Sequence, residues 1–269
     1  NFTLPVVNAI YSGRISYAYL FACSRGTGKT STAKLLSKAL NCFEGPTAHP
    51  WCKCDSCVSI SAGSSLDVIE MDAASNRGID DIRDIRDKVA FATVEGKYKI
   101  YILDEAHMLT KEASNAFLKV LEEPPAHVIF VLCTTEAHKV LPTIQSRCQS
   151  FEFRRPDATM VLEVLTRIAA AEEIDIDDES LATIARSSAG AFRDAIGTLD
   201  QLATYCQKKI LLTDELSMLG TVQSELPLEA VDIIAARGAR RALLFSKRPA
   251  AEGTVSGELD QDGGAPLAD

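Results

Sequence analysis

The chain is 269 residues long, 46% of them hydrophobic, with a formal net charge of -9. That is more apolar content than one small module needs, so one large or two modest globular units are expected, while the acidic balance excludes a broadly basic nucleic-acid glove and confines any DNA contact to a local site. No apolar run reaches the ~18 to 20 residues of a bilayer crossing and no basic-then-apolar leader opens the chain, which points to a soluble, cytoplasmic protein with no membrane partner.

The chain opens at Asn1 inside an apolar-periodic segment, Val6, Val7 and Ile10, as expected of a piece whose true N-terminus lies upstream. The aromatic and apolar run from Tyr17 to Ala22 reads as a strand, followed by a glycine-rich loop. Thr30 to Leu40 then reads as a helix, with Ala33, Leu35, Leu36, Ala39 and Leu40 at helical spacing. Further strands are expected at Asp67 to Met71, Lys99 to Leu103, Val128 to Leu132 and Phe151 to Phe153, with helices between. Nearly continuous apolar strands alternating with helices call for an α/β fold, a parallel sheet covered on both faces. The pattern changes at Arg155-Pro156, and Ala158 to Gln207 reads as helical throughout. Thr213 to Phe245 reads as one or two more helices, and the glycine-rich stretch from Pro249 to Asp269 as a disordered tail or a cut-off domain.

Between the first strand and the first long helix stand Arg25-Gly26-Thr27-Gly28-Lys29-Thr30-Ser31. This is the context of a phosphate-binding loop: backbone N-H groups at a helix start cradle phosphates, Lys29 neutralises them, and the Thr30 hydroxyl ligates Mg²⁺. A glycine-rich turn with a chance Gly-Lys-Thr is the alternative, and the flanking strand and helix argue against it. One departure stands out. Cys23 occupies the position where the loop pattern begins with glycine, and a cysteine there costs about 1 to 3 kcal/mol if that position needs a positive φ.

The strand at Ile100 to Leu103 ends in Asp104-Glu105, about 75 positions beyond Lys29. In nucleotide hydrolases an Asp so placed holds Mg²⁺ and a following Glu polarises the attacking water. The tetrapeptide Asp104-Glu105-Ala106-His107 spells a helicase box, but the chain has no room for a second motor domain, so His107 is read as a helix-start residue. Val128 to Leu132 runs into Cys133-Thr134-Thr135-Glu136, placing two hydroxyls at a strand end where one of them can sense a γ-phosphate; taken alone, such a pair is more often structural.

The eight cysteines are unevenly placed. Cys42, Cys52, Cys54 and Cys57 fall within sixteen positions of a polar segment, which suits a tetrahedral structural zinc, the alternative being an apo loop with three ligands or fewer; the others, Cys23 apart, read as ordinary core residues.

Five stretches together carry a family resemblance: SGRISYAYLF before the loop, DAASNRGIDDIRDIRD, YILDEAHML, NAFLKVLEEPPAHVIFVLCTTEAHKVLPTIQSRCQSFEF and AFRDAIGTLDQ. From about Ser12 to about Leu244 the chain resembles the gamma/tau subunits of bacterial DNA polymerase III, the motor subunits of sliding-clamp loaders and members of the AAA+ ATPases. The resemblance implies a nucleotide domain over residues 1-155 with a zinc module at about 42-57, a helical lid over 156-212, and the start of a helical collar over 213-248. A tail over 249-269 completes the expected division. It also implies an ATPase using ATP, Mg²⁺ and Zn²⁺, acting in a five-subunit ring with other clamp-loader subunits, the sliding clamp, primer-template DNA and the replicative polymerase.

The match assigns roles residue by residue. Thr135 corresponds to the first sensor. Arg147, in Ser146-Arg147-Cys148, corresponds to the arginine that reaches a neighbouring subunit's ATP, and Arg193 to the second sensor, on the lid. The family's zinc pattern is Cys-x₈-Cys-x₂-Cys-x₂-Cys, and here Trp51 occupies the second ligand position while Cys52 falls one residue later. Arg77, before a helix start, is a candidate DNA or intersubunit contact. Two rival readings remain at this level: an ATPase-inactive clamp-loader subunit of the same ancestry, and a zinc-containing nucleic-acid-binding protein that uses the fold as a scaffold.

Overall fold

Alternating apolar residues drive the architecture. In a computed structural model, which describes residues 3–205 and 210, the apolar runs form β1 (Ala18–Ala22), β2 (Val68–Asp72), β3 (Lys99–Asp104), β4 (Val128–Thr134) and β5 (Gln149–Glu152). All are parallel, in the order β2-β3-β4-β1-β5. The helices are α1 (Thr3–Ser12), α2 (Lys29–Asn41), α3 (Asp55–Ala62), α4 (Ile79–Val89), α5 (Lys111–Glu122), α6 (Pro142–Gln145), α7 (Ala158–Ala171), α8 (Asp178–Ser187) and α9 (Phe192–Tyr205).

The period of two along each strand sorts its side chains onto two covered faces. On one face Tyr101, Leu103, Val128, Phe130 and Leu132 pack with Ile82, Ile85 and Val89 of α4 and with Phe117, Val120 and Leu121 of α5. On the other, Ile100, Ile102, Ile129, Val131 and Cys133 pack with Val6 and Ile10 of α1, Ala33, Leu36 and Leu40 of α2, and Ile60 of α3. Every residue of β4 is buried, as a central strand requires. Leu35 departs from the expected apolar face of α2: it is 53% exposed, because the buried positions 33, 36, 39 and 40 already fill the stripe that faces the sheet.

The turns carry identifiable chemistry. Thr110 caps α5 by accepting from the Ala113 N-H at 3.2 Å. The Gly78 N-H at the start of α4 donates to the Asp81 carboxylate at 3.0 Å. Asp67, at the foot of β2, is buried and accepts the backbone N-H groups of Val94, Glu95 and Gly96 at 2.7 to 2.8 Å, fixing the loop that leads into β3. Asn41 at the end of α2 holds Tyr98, just before β3, from both sides, bonding its carbonyl and N-H at 2.8 and 2.9 Å.

The chain divides into two compact units, Asn1–Val164 with Ala185–Gly197, and Leu165–Ile184 with Thr198–Asp269. In the second, Leu165, Ala169, Leu181, Ile184, Leu199, Leu202 and Ile210 are buried, and Ile176 bridges Ile210 in parallel, with the Ile210 N-H on the Asp175 carbonyl at 2.8 Å. No helix among the described residues is long and apolar enough to cross a membrane. The expected collar helices over 213-248, the tail over 249-269 and Cys206 lie outside the described residues.

Removing the Asp67 carboxylate strands three backbone donors. Asp67→Ala is expected to lower the unfolding free energy by about 2 to 4 kcal/mol, read by urea denaturation, with Asp67→Asn intermediate.

Candidate nucleotide site and cysteine centre

Parallel strands gather their carboxyl ends along one edge, and in this sheet the strand order reverses direction around β1, whose neighbours are β4 and β5. The loop leaving β1 makes a tight turn into α2 through two glycines with left-handed backbones, Gly26 (φ 74) and Gly28 (φ 90). Gly26 meets a second constraint: a Cβ there would sit 2.9 Å from the Ala191 Cβ, so its lack of a side chain lets the loop pack against the segment entering α9. The Gly26 carbonyl also accepts the Arg193 N-H at 3.4 Å.

Cys23 is not among the residues with positive φ. The strain expected there is absent, because the left-handed positions of this loop are Gly26 and Gly28. What Cys23 contributes is its backbone: its carbonyl and that of Ser24 accept the Lys29 ammonium at 2.9 and 2.8 Å. Lys29 is almost fully buried, and two of its three donors are spent on the loop, leaving one for a phosphate. Thr27 faces inward, its hydroxyl on the Ser24 carbonyl at 2.9 Å.

A pocket of about 180 Å³ opens here, lined by Arg25, Gly26, Gly28, Lys29, Thr30, Ser31, Asp104, Glu105, Phe192, Arg193 and Ile196. The first turn of α2 carries no acidic residue and no side-chain cap, so its N-H groups and the positive end of its dipole favour an anion in the pocket. The Thr30 hydroxyl donates to Asp104 Oδ2 at 2.7 Å across 74 residues of sequence. A hydroxyl and a carboxylate converging beside a phosphate cradle are the oxygen donor set a Mg²⁺ ion uses, so these residues fit that ion.

Glu105 holds a left-handed backbone, φ 48, at the start of a 3₁₀ turn over Ala106–Met108. A strained non-glycine residue of this kind costs on the order of 1 to 3 kcal/mol and persists only when its surroundings fix it. Three contacts do so. The Glu105 N-H donates to Asp104 Oδ1 at 2.9 Å, the Thr135 hydroxyl donates to Glu105 Oε2 at 3.0 Å, and His107 Nδ1 lies 3.5 Å from the same oxygen. The His107 side chain is only 7% exposed and reaches further: Nδ1 is 2.9 Å from the hydroxyl of the fully buried Thr134 and Nε2 is 3.2 Å from Glu136. It does stand in a helix start, yet it also couples the end of β3 to the end of β4, a role the sequence reading withheld from it. Glu136 in turn is held below the usual carboxylate range, by its hydrogen bond from Lys139 first and then by the Lys139, His107 and His138 charges.

Arg147 pairs with Glu122 at 3.1 Å and donates to the Thr143 carbonyl at 2.9 Å, on a partly exposed surface. Arg77 is exposed, and its carbonyl accepts the Thr110 N-H.

The cysteine module brings together three of its four expected ligands. Sulfurs of Cys42, Cys54 and Cys57 lie within 4.8 Å of one another, a donor set that fits zinc. Cys52 is exposed, with φ 59, and stands apart from them, so the expected four-thiolate set is not assembled here. Burial raises the Cys54 thiol, but hydrogen bonds from the Phe43 and Cys57 backbones and from the Cys57 and Cys42 side chains outweigh it and hold Cys54 below the ordinary thiol range. Cys57 is pushed up, by burial first and then by Cys54 and Cys42, against a hydrogen bond from the Cys52 backbone. Of the scattered cysteines, Cys133 lies in the core, where burial raises its thiol, and Cys148 packs partly buried against the other face of the sheet.

Comparison with known proteins agrees with this architecture. A family model described as DNA polymerase III, delta subunit, matches residues 4–157, and one described as DNA polymerase III clamp loader subunit, ATPase lid domain, matches residues 160–208. The chain is 43% identical over 261 residues to DNA polymerase III subunit gamma/tau of Mycobacterium tuberculosis (strain ATCC 25618 / H37Rv), covering 96% of this chain and 44% of that protein. It is 47% identical over 220 residues to DNA polymerase III subunit tau of Bacillus subtilis (strain 168), covering 82% of this chain and 39% of that protein. The chain thus spans less than half the length of these relatives. Among solved structures, the Thermotoga maritima RuvB Holliday junction branch migration motor shares the fold, with a TM-score of 0.57 at 17% identity over 95% of this chain and 80% of that one.

The loop geometry separates two substitutions. Cys23→Gly is not expected to tighten nucleotide binding, whereas Gly28→Ala, at φ 90, is expected to weaken it about tenfold or more, both read by titration with a fluorescent ATP analogue.

Proposed function

The chain belongs to the clamp-loader subunits of bacterial DNA polymerase III and is gamma/tau-like, and from that premise we propose that it is an ATP-driven motor subunit that opens the sliding clamp and loads it onto primed DNA during replication in the cytoplasm. The observation that carries the reading is the Thr30 to Asp104 hydrogen bond, 2.7 Å long, in a pocket shared with Lys29, Glu105 and Arg193.

The triphosphate lies on the first turn of α2, its charge met by helix N-H groups and the remaining Lys29 donor. Arg25, Gly26, Thr27, Gly28 and Ser31 shape and line that cradle. Thr30 and Asp104 would hold Mg²⁺, which would supply positive charge to offset that of the phosphates. Glu105 polarises the attacking water as general base, and Thr135 fixes that carboxylate and serves as first sensor. Arg193 reaches the γ-phosphate from α9, so that binding ATP ties the start of that helix to the loop.

Arg147 acts in trans. In the assembled ring it leaves Glu122 and stabilises charge on the γ-phosphate of the neighbouring subunit, a contribution worth roughly 10³ to 10⁵ in rate for analogous arginines. The five-subunit ring, the sliding clamp, primer-template DNA and the replicative polymerase are the partners of this cycle, with Arg77 a contact to DNA or to a neighbouring subunit. Residues 1-155 form the nucleotide domain, 156-212 the lid and 213-248 the start of the collar, ahead of the tail. The rival reading of an ATPase-inactive subunit loses one of its two supports, since Cys23 imposes no backbone strain on the loop, while the shifted Cys52 remains outside the cysteine cluster. A protein using the fold only as a scaffold has no need of a strained Glu105 held by Thr135.

In the assembled complex, Lys29→Ala is expected to abolish ATP binding, while Glu105→Gln keeps binding and slows DNA-stimulated hydrolysis by about 10² to 10⁴. His107→Ala is expected to lower kcat about tenfold with little change in KM, because it removes a support of Glu105 and no contact to phosphate. Hydrolysis unchanged in Glu105→Gln would contradict the assignment.

A further inference from the structure

The cysteine module has a geometry of its own. Zinc in a tetrahedron of sulfurs at about 2.3 Å separates them by roughly 3.8 Å. Cys42 and Cys54 already stand at 4.0 Å, and Cys57 lies within 4.8 Å of both, so the three sulfurs outline one face of such a tetrahedron. The Cys42 sulfur also accepts the Trp51 N-H at 3.4 Å. An N-H donor of this kind orients and steadies a metal-bound thiolate from the outer shell.

Cys52 stands outside the trio, with an exposed side chain and a left-handed φ of 59, a conformation that favours glycine. Among the described residues no other His, Cys, Asp or Glu joins the trio, and Trp51, which stands at the position where the family pattern has a ligand, offers indole and no sulfur. Closed structural zinc sites carry four protein ligands, and sites with three keep an exchangeable fourth position.

Resting on the zinc reading of the module, we propose that Cys42, Cys54 and Cys57 form a three-thiolate zinc site whose open fourth position is held by solvent and exchanges for a small soft donor, a low-molecular-weight thiol. The bound ion with three thiolates carries a net charge of about -1, one unit less negative than a four-thiolate site, which lowers the electrostatic cost of admitting an external thiolate. The site joins Cys42, the C-cap of α2, to Cys54 and Cys57 at the start of α3, and its sulfur count is read directly at the metal.

The test uses the full chain loaded with one equivalent of zinc. X-ray absorption at the zinc edge is expected to count three sulfurs and one lighter atom, rising to four sulfurs when 2-mercaptoethanol is added. Cys52→Gly and His49→Ala are expected to keep the three-sulfur count and to hold zinc affinity within about threefold, whereas Cys57→Ser loses a sulfur and about tenfold or more in affinity. In the loaded protein, maleimide labelling followed by peptide mass mapping is expected to find Cys52 reactive and the trio protected. Four sulfurs in the unmodified chain that fall to three in Cys52→Gly would overturn the proposal by showing that Cys52 closes the site. A light ligand lost in His49→Ala would overturn it in favour of His49. A three-sulfur site that 2-mercaptoethanol leaves unchanged would overturn the exchangeable position, and failure of the chain to bind zinc would overturn the zinc reading and the proposal together.

Discussion

The hydrogen bond from Thr30 to Asp104 joins two parts of the chain that the sheet alone brings together. Thr30 belongs to the first turn of α2, whose place is set by β1; Asp104 ends β3, two strands away across β4. The contact exists because all five strands run in the same direction, so the loop after β1 and the acid at the end of β3 emerge on one edge. An all-parallel sheet must be covered on both faces, and the alternation along β3 and β4 supplies that cover with α4 and α5 on one side and α1, α2 and α3 on the other. The buried strands are therefore the physical reason that the Thr30 hydroxyl, the Asp104 carboxylate and the glycine-rich loop share one pocket.

Around that contact the polar groups form one connected set. Thr135, the Asp104 carboxylate and His107 fix Glu105 in a backbone conformation it would not adopt alone, and His107 passes the connection to Thr134 and Glu136. The Thr134 hydroxyl is fully buried and the His107 side chain nearly so, which stiffens that end of the set, since a buried polar group deprived of its partner costs more than an exposed one. A fixed carboxylate at the end of β3 and a short donor bond at the start of α2 would suit a reaction whose catalysis is mostly positioning. The loop's other side rests on Ala191 and Arg193, so the nucleotide pocket and the entry to α9 are built as one object within the first compact unit.

Much of this was legible in residues 17 to 153. The strands and their parallel arrangement follow from short apolar runs bounded by turns, and the loop followed from its glycines set between a strand and a helix. What was not legible depended on conformation. Cys23 looked strained because a pattern implies a backbone without stating it; the left-handed turns belong to Gly26 and Gly28. Leu35 looked buried because spacing marks a stripe without showing its width. His107 was set aside because its motif suggested an absent second motor, and a hydrogen bond to Thr134, 27 residues away, has no local signature. Cys52 counted as a ligand by proximity in sequence, while its sulfur is exposed and outside the trio of Cys42, Cys54 and Cys57. Residue types announce chemistry, but the direction a side chain takes is fixed by φ and by contacts distant in sequence.

We propose that Thr30 and Asp104 act as one unit in holding a nucleotide with its divalent cation. A double-mutant cycle of Thr30→Ala and Asp104→Ala, read as the affinity for ATP in the presence of Mg²⁺, tests it most directly. Strong loss in each single variant with little further loss in the double, a coupling of about 1 kcal/mol or more, is the predicted result. Additive effects, or affinity that neither substitution changes, would contradict the account.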